Sequence, residues 1–159
     1  MDLEIQTDTT KNPVVLTLRG NLVAGIGAQL SQALSTISSQ QVIFDLADIT
    51  IINSSGIGEW AEFLQEHMTG KRFWFRRCTP NIVDTINLLP SFLAHGNVES
   101  MFVDFQCNKC SSEVRVEVNV LRDVTPAGEM RRKLNCDNCK KVMNTLFPED
   151  DLFSFLSQK

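Results

Sequence analysis

Two short cysteine pairs, Cys107-Asn108-Lys109-Cys110 and Cys136-Asp137-Asn138-Cys139, constrain this chain more than any other feature. Each pair can present two thiolates from one tight turn, and two such turns together supply the corners of a tetrahedral metal site. One pair alone offers too few ligands, so residues 111–135 must fold back and bring the second pair to the first. Within that span Glu113 to Leu121 alternates apolar and polar residues through Val114, Val116, Val118 and Val120, the period of a half-covered strand. Thr125-Pro126-Ala127-Gly128 is a turn, and Glu129 to Leu134 is expected to return as the partner strand. A dithiol redox pair is the competing reading of a lone C-x-x-C, and two matched pairs argue against it. No histidine lies in this part of the chain, and four cysteines leave no exchangeable position, so the metal's role is expected to be structural.

A cysteine pair at each end of a hairpin resembles the zinc-ribbon family. The expectation is structural zinc on Cys107, Cys110, Cys136 and Cys139. So small a segment has little core of its own, and the metal would supply much of its folding free energy. Chelation is then expected to unfold residues 105–145. The end of the chain sets Glu149-Asp150-Asp151 before Leu152-Phe153-Ser154-Phe155-Leu156, too apolar for a free tail, and it is expected to dock as a short helix. Arg131-Arg132-Lys133 and Lys140-Lys141 read as a solvated face, with a nucleic acid or an acidic protein as the alternatives.

The first hundred residues alternate between strand and helix patterns. Leu3 to Thr7 and Val14 to Arg19 read as a hairpin, the latter stopped by Gly20-Asn21. Leu30, Ala33, Leu34 and Ile37 fall at helical spacing, and Val42 to Leu46 reads as a central strand covered on both faces. A second helical pattern from Ile57 places Trp60, Ala61, Leu64 and Met68 on one face, with Trp60 expected in the core and His67 a polar boundary residue paired with no nucleophile. Lys71 to Arg77 is a strand, Cys78 a small buried side chain, and Thr79-Pro80 opens a third helix. The boundary is placed after Asn97, giving units 1–97 and 98–159, and Val98 to Phe105 is expected to be one strand leading into the first cysteine pair.

Between the central strand and the second helix lies Ile51-Ile52-Asn53-Ser54-Ser55-Gly56-Ile57-Gly58. A strand-to-helix turn leaves backbone N–H groups without partners, and the helix dipole favours an anion there. By local chemistry Asn53, Ser54 and Ser55 read first as cap and turn residues. A phosphoryl group on one of the serines would sit where backbone and dipole both favour it.

In this strand-and-helix order, Asn53-Ser54-Ser55-Gly56-Ile57-Gly58 resembles the STAS family, whose members include bacterial anti-sigma factor antagonists. Ser54, Ser55, Gly56 and Gly58 match the family's Asp-Ser-Ser-Gly-Leu-Gly motif, Ile57 stands for Leu, and Asn53 stands for Asp. The resemblance spans about residues 3 to 95. It implies an α/β fold with a mixed sheet and packed helices, to which the cysteine module adds a small β zinc ribbon. It also implies a partner that is an anti-sigma factor and serine kinase, with Ser55 as phosphoryl acceptor and Asn53, Ser54, Gly56 and Gly58 at the contact surface. The alternatives are a constitutive scaffold without phosphorylation and, third, a nucleic-acid-binding ribbon.

Charge bears on these classes. Residues 1–100 carry six Lys/Arg against ten Asp/Glu and the remainder nine against nine, so neither part is a basic nucleic-acid module. No apolar run is long enough to span a membrane and the acidic start is unlike a secretory leader, so a cytoplasmic protein is expected. No Ser-His-Asp arrangement, P-loop or dinucleotide fingerprint stands out, and Gly25-Ile26-Gly27 is only a glycine pair at a helix entrance; an enzyme is not expected.

Overall fold

The computed structural model describes residues 1–158. Alternating apolar stretches of the first hundred residues build a five-stranded sheet in sequence order: β1 (Glu4–Asp8), β2 (Val14–Leu22), β3 (Gln41–Ile52), β4 (Arg72–Arg76) and β5 (Asn97–Val98). β1 is antiparallel to β2, and every later pairing is parallel. Parallel neighbours need crossovers, which α1 (Ile26–Ser35), α2 (Ser54–His67) and α3 (Pro80–Leu88) provide. The period of two sends Phe44, Phe73 and Phe75 to one face, where they meet α2. Trp60 lies at the centre of this face, fully buried, edge-on to Phe44 and stacked on Phe92, and its indole N–H donates to the Phe92 carbonyl at 3.0 Å.

β2 and β3 both run further than the sequence patterns indicate. β3 does not stop at Leu46 because β2 continues past Gly20 and keeps pairing through Leu22 and Ile52, with two register shifts. Gly20 permits this: its φ is 105°, and a Cβ there would meet the Asp2 carbonyl oxygen at 2.3 Å.

The second sheet has the order β7-β6-β9-β8, with β6 (Ser100–Gln106), β7 (Glu113–Asn119), β8 (Leu134–Asn135) and β9 (Val142–Thr145). It corrects the expected hairpin. The segment 129–134 is not β7's partner; β6 is, residue for residue from Ser100↔Asn119 to Gln106↔Glu113. β7 ends at Asn119 because Asn119 caps the single turn α4 (Val120–Asp123), its side-chain oxygen accepting from Arg122 N at 3.0 Å, while Asp123 accepts from Asn119 N at 2.9 Å. The hairpins are instead β6–β7 and β8–β9, with one cysteine pair at each turn.

Val98 to Phe105 is two strands rather than one. Asn97–Val98 completes the first sheet, and from Ser100 the chain belongs to the second. Glu99 is the hinge residue: its N–H donates to Phe75 O, and its carboxylate takes Arg76 at 2.7 Å. Just beyond, Cys78 N donates to Ser100 O and Phe102 N to Cys78 O, so β6 also bonds to the end of β4. Arg77, at φ 51°, donates its backbone N–H to Ser100 Oγ and clamps both carboxylate oxygens of Asp45. Buried residues of the two sheets form one continuous cluster. The acidic C-terminal stretch forms α5 (Glu149–Leu152) and a following 3₁₀ turn, which dock on α3: Asn87 donates to the Asp151 and Leu152 carbonyls and accepts from Phe155 N.

Asp45 is nearly enclosed, its side chain 7% exposed, and Arg77 is its counter-ion. Arg77→Met should cost about 1–3 kcal/mol in urea denaturation by stranding that carboxylate. Adding Asp45→Asn should recover most of the loss, and an Arg77→Met chain as stable as wild type would contradict the assignment.

Candidate functional site

The serine turn begins where β3 ends. Asn53 is extended, at φ −132° and ψ 172°, and its side chain accepts from Gly56 N at 2.9 Å. That cap starts α2 at Ser54, three residues before the apolar periodicity does. Ser54 and Ser55 are therefore the first two helical residues, and both are exposed, as are Asn53 and Gly58. Ile51 stands beside them, 55% exposed. Gly56 differs from the other members of the motif. It is buried, and a Cβ there would fall 2.0 Å from the Leu22 carbonyl oxygen. Its lack of a side chain is thus required by the packing of α2 on β2. A Cβ on Gly58 would meet nothing within 4 Å.

One residue of the site escapes the sequence patterns. Glu59, one helical turn after Ser55, reaches the entrance of α1 and accepts from Gly25 N at 2.8 Å and Gly27 N at 2.9 Å. Gly25, at φ 95°, offers α1 no side-chain cap, so α2 supplies one from outside. The glycine pair at that entrance is the signal: two small residues expose N–H groups that only an external acceptor can meet. These bonds, from Gly25 first and Gly27 next, hold the Glu59 carboxyl below its ordinary range.

His67 does have a hydroxyl partner, contrary to the sequence reading: Ser31 Oγ lies 3.0 Å from its Nε2. The neighbouring Glu66 carboxylate is 3.8 Å from the same nitrogen, whereas a catalytic triad has its carboxylate on the other ring nitrogen. Cys78 is fully buried, and burial pushes its thiol well above the ordinary range.

The two hairpin turns bring Cys107, Cys110, Cys136 and Cys139 together with all four sulfurs within 4.8 Å of one another. Cys107 Sγ is 3.3 Å from Cys139 Sγ, and Cys110 Sγ is 3.5 Å from Cys136 Sγ. Thiolates about 2.3 Å from a common centre would be roughly 3.8 Å apart, so the cluster fits a tetrahedral ion. Local bonds favour the thiolate form that a metal requires at two of the four cysteines, whereas Cys139, despite the Lys141 N–H, is pushed up to about 11 by its Cys107 contact and burial. Cys107 is held below its ordinary range by the backbone N–H groups of Cys110 and Lys109, and Cys110 is drawn down to about 6 by the hydroxyl and then the N–H of Ser112. The four residues could hold a metal ion, with Cys107 and Cys136 buried and Cys110 at the surface.

No family model matches the chain, and no curated protein matches it. Among solved structures it is similar to the anti-sigma factor antagonist SpoIIAA in its unphosphorylated form. The two are 18% identical, the match covers 56% of this chain and 83% of that one, and the TM-score is 0.44. Among the described residues no helix is long and apolar enough to cross a membrane.

The Glu59 bond to α1 has a definite pH dependence. Folding lowers its pKa, so its contribution is complete above the ordinary glutamate value of about 4.3 and is lost as pH falls through the folded value. The Gly25 and Gly27 amide resonances should titrate together below that ordinary value, and Glu59→Gln should abolish the step. A step that survives the substitution would contradict the contact.

Proposed function

We propose that this chain is a regulatory protein-binding module that contacts its partner through the serine turn and is switched by a phosphoryl group on Ser55. The observation that carries this reading is the position of Ser55: exposed, second in α2, on a helix start already fixed by Asn53 and by the close approach of Gly56 to Leu22. A charge added there has no buried surroundings to disrupt. It meets the favourable end of the helix dipole, worth about 0.3–1 kcal/mol at an exposed site, so phosphorylation leaves the fold intact. Its effect falls on the partner, whose fitted surface would have to desolvate a dianion beside Ile51 and Gly58.

The motif's resemblance to STAS proteins supports an anti-sigma factor antagonist, with a serine kinase as the partner that modifies it. Asn53 replaces the motif's Asp without altering the turn, since its side-chain oxygen performs the capping that either residue can perform. What is lost is a carboxylate beside Ser54, and that loss favours the constitutive scaffold as the second reading.

The four-cysteine centre is assigned structural zinc. Its four thiolates suit that metal and leave no position for substrate. The chain works by binding rather than turnover. A four-thiolate zinc centre suits a reducing cytoplasm, where cysteines stay available as ligands.

The test is affinity capture with wild type, Ser55→Ala and Ser55→Glu, followed by kinase assay of the captured protein. A kinase-like anti-sigma factor should bind wild type and Ser55→Ala, be lost from Ser55→Glu, and label only chains that retain Ser55. Identical non-kinase partners on all three baits would establish the scaffold instead.

A further inference from the structure

Arginines elsewhere in the chain are largely neutralised where they stand. Arg19, Arg76, Arg77, Arg115 and Arg122 each lie within 3.1 Å of a carboxylate, on Asp48, Glu99, Asp45, Asp104 and Asp123 respectively. The basic residues around the β8–β9 hairpin behave differently. Arg131, Arg132, Lys133, Lys140 and Lys141 are all exposed, and among the described residues none forms an ion pair. They flank β8 on both sides, the first three leading into it and the lysines following the second cysteine turn. Asp123, whose carboxyl is held below its ordinary range mainly by Arg122 and slightly by Arg132, and Glu149 of α5 are the carboxylates nearest this basic cluster.

The patch borders a groove of about 290 Å³. Arg132 and Lys133 form its rim, and Met130, Leu134 and Val142 contribute an apolar lining. Val142 is 48% exposed, unusual for an aliphatic residue inside a sheet. β8, two residues long, is the last strand of its sheet, and among the described residues no strand lies beyond its outer edge. The groove also contains one carboxylate already: Glu149 of α5 reaches its end and accepts from Met130 N at 3.4 Å.

We propose that the groove along β8 is a docking surface for an acidic peptide segment of a partner protein, one that carries apolar side chains between its carboxylates. Each part of the site answers one feature of such a segment. The unpaired cations take the carboxylates, the Met130–Leu134–Val142 lining takes the apolar side chains, and the free edge of β8 suits extended backbone. A nucleic acid fits less well, since its phosphates would use the rim and leave the apolar lining uncovered. None of the residues lining the groove belongs to the serine turn, so one chain could hold two partners.

The experiment is fluorescence anisotropy on the full, metal-loaded chain with a short labelled peptide of Asp and Glu alternating with Leu and Phe. Its Asn/Gln counterpart, a single-stranded RNA and a DNA duplex serve as competing probes. The acidic peptide should bind and weaken with added salt, and its neutral counterpart should fail to bind. Arg132→Glu/Lys133→Glu should weaken binding by about tenfold or more. Lys140→Glu/Lys141→Glu, on the other side of the hairpin, should act in the same direction. Val142→Ser should weaken binding several-fold without changing the salt dependence. All three alter exposed side chains without ion pairs, and unchanged thermal unfolding verifies that they fold. Tighter binding of RNA or DNA than of the peptide, or peptide binding indifferent to both charge reversals, would overturn the proposal.

Discussion

The backbone bonds between β6 and the end of β4 hold the rest of the molecule in place. Cys78 N to Ser100 O and Phe102 N to Cys78 O make one strand serve two sheets. At its start β6 lies against the first sheet, with Arg77 bonded to Ser100 Oγ and Glu99 bonded to Arg76. At its end it delivers Cys107 to the four-thiolate cluster. A seven-residue strand is roughly 23 Å long, so the cysteine cluster and the edge of the first sheet are the two ends of one short rigid element. The second sheet would have little core alone, but its Met101, Val103 and Val118 belong to the same buried cluster as Phe44 and Trp60. The C-terminal segment strengthens the union by closing on α3 through Asn87.

The serine turn is organised by a separate set of contacts. Gly56 abuts the Leu22 carbonyl, Asn53 N donates to the same carbonyl at 3.2 Å, and Glu59 ties α2 to the entrance of α1. These contacts all lie within the first sheet and its helices. The turn is therefore preorganised without help from the metal, and the β8 groove without help from the turn.

Much of this was legible in the residues. Strand and helix periods located most elements of the first sheet, Trp60 was readable as core from its place on the apolar face of α2, and the two C-x-x-C spacings identified the cysteine cluster. What escaped follows from one physical cause, that tertiary partners override local pattern. β3 outruns its apolar stretch because β2 extends beside it, and α2 begins early because Asn53 caps it. β7 pairs backwards with β6 because Asn119 breaks the expected hairpin. The Glu59 bond was invisible because its partners are backbone N–H groups more than thirty residues away. The packing role of Gly56 was hidden for a similar reason: a glycine in a turn motif and a glycine under a neighbouring carbonyl look alike until the neighbour is known.

The central claim is that a zinc-closed second sheet is joined through β6 to a serine-bearing first unit that is organised independently of the metal. Amide exchange read by mass spectrometry tests it most directly, on the purified chain and after chelation, with the intact mass reporting the bound ion. The account predicts one zinc per chain. It also predicts that removing the metal strips protection from β6 to β9 while the start of α2 keeps its own. A chain that carries no zinc, or that keeps full protection across residues 105–145 after chelation, would contradict it.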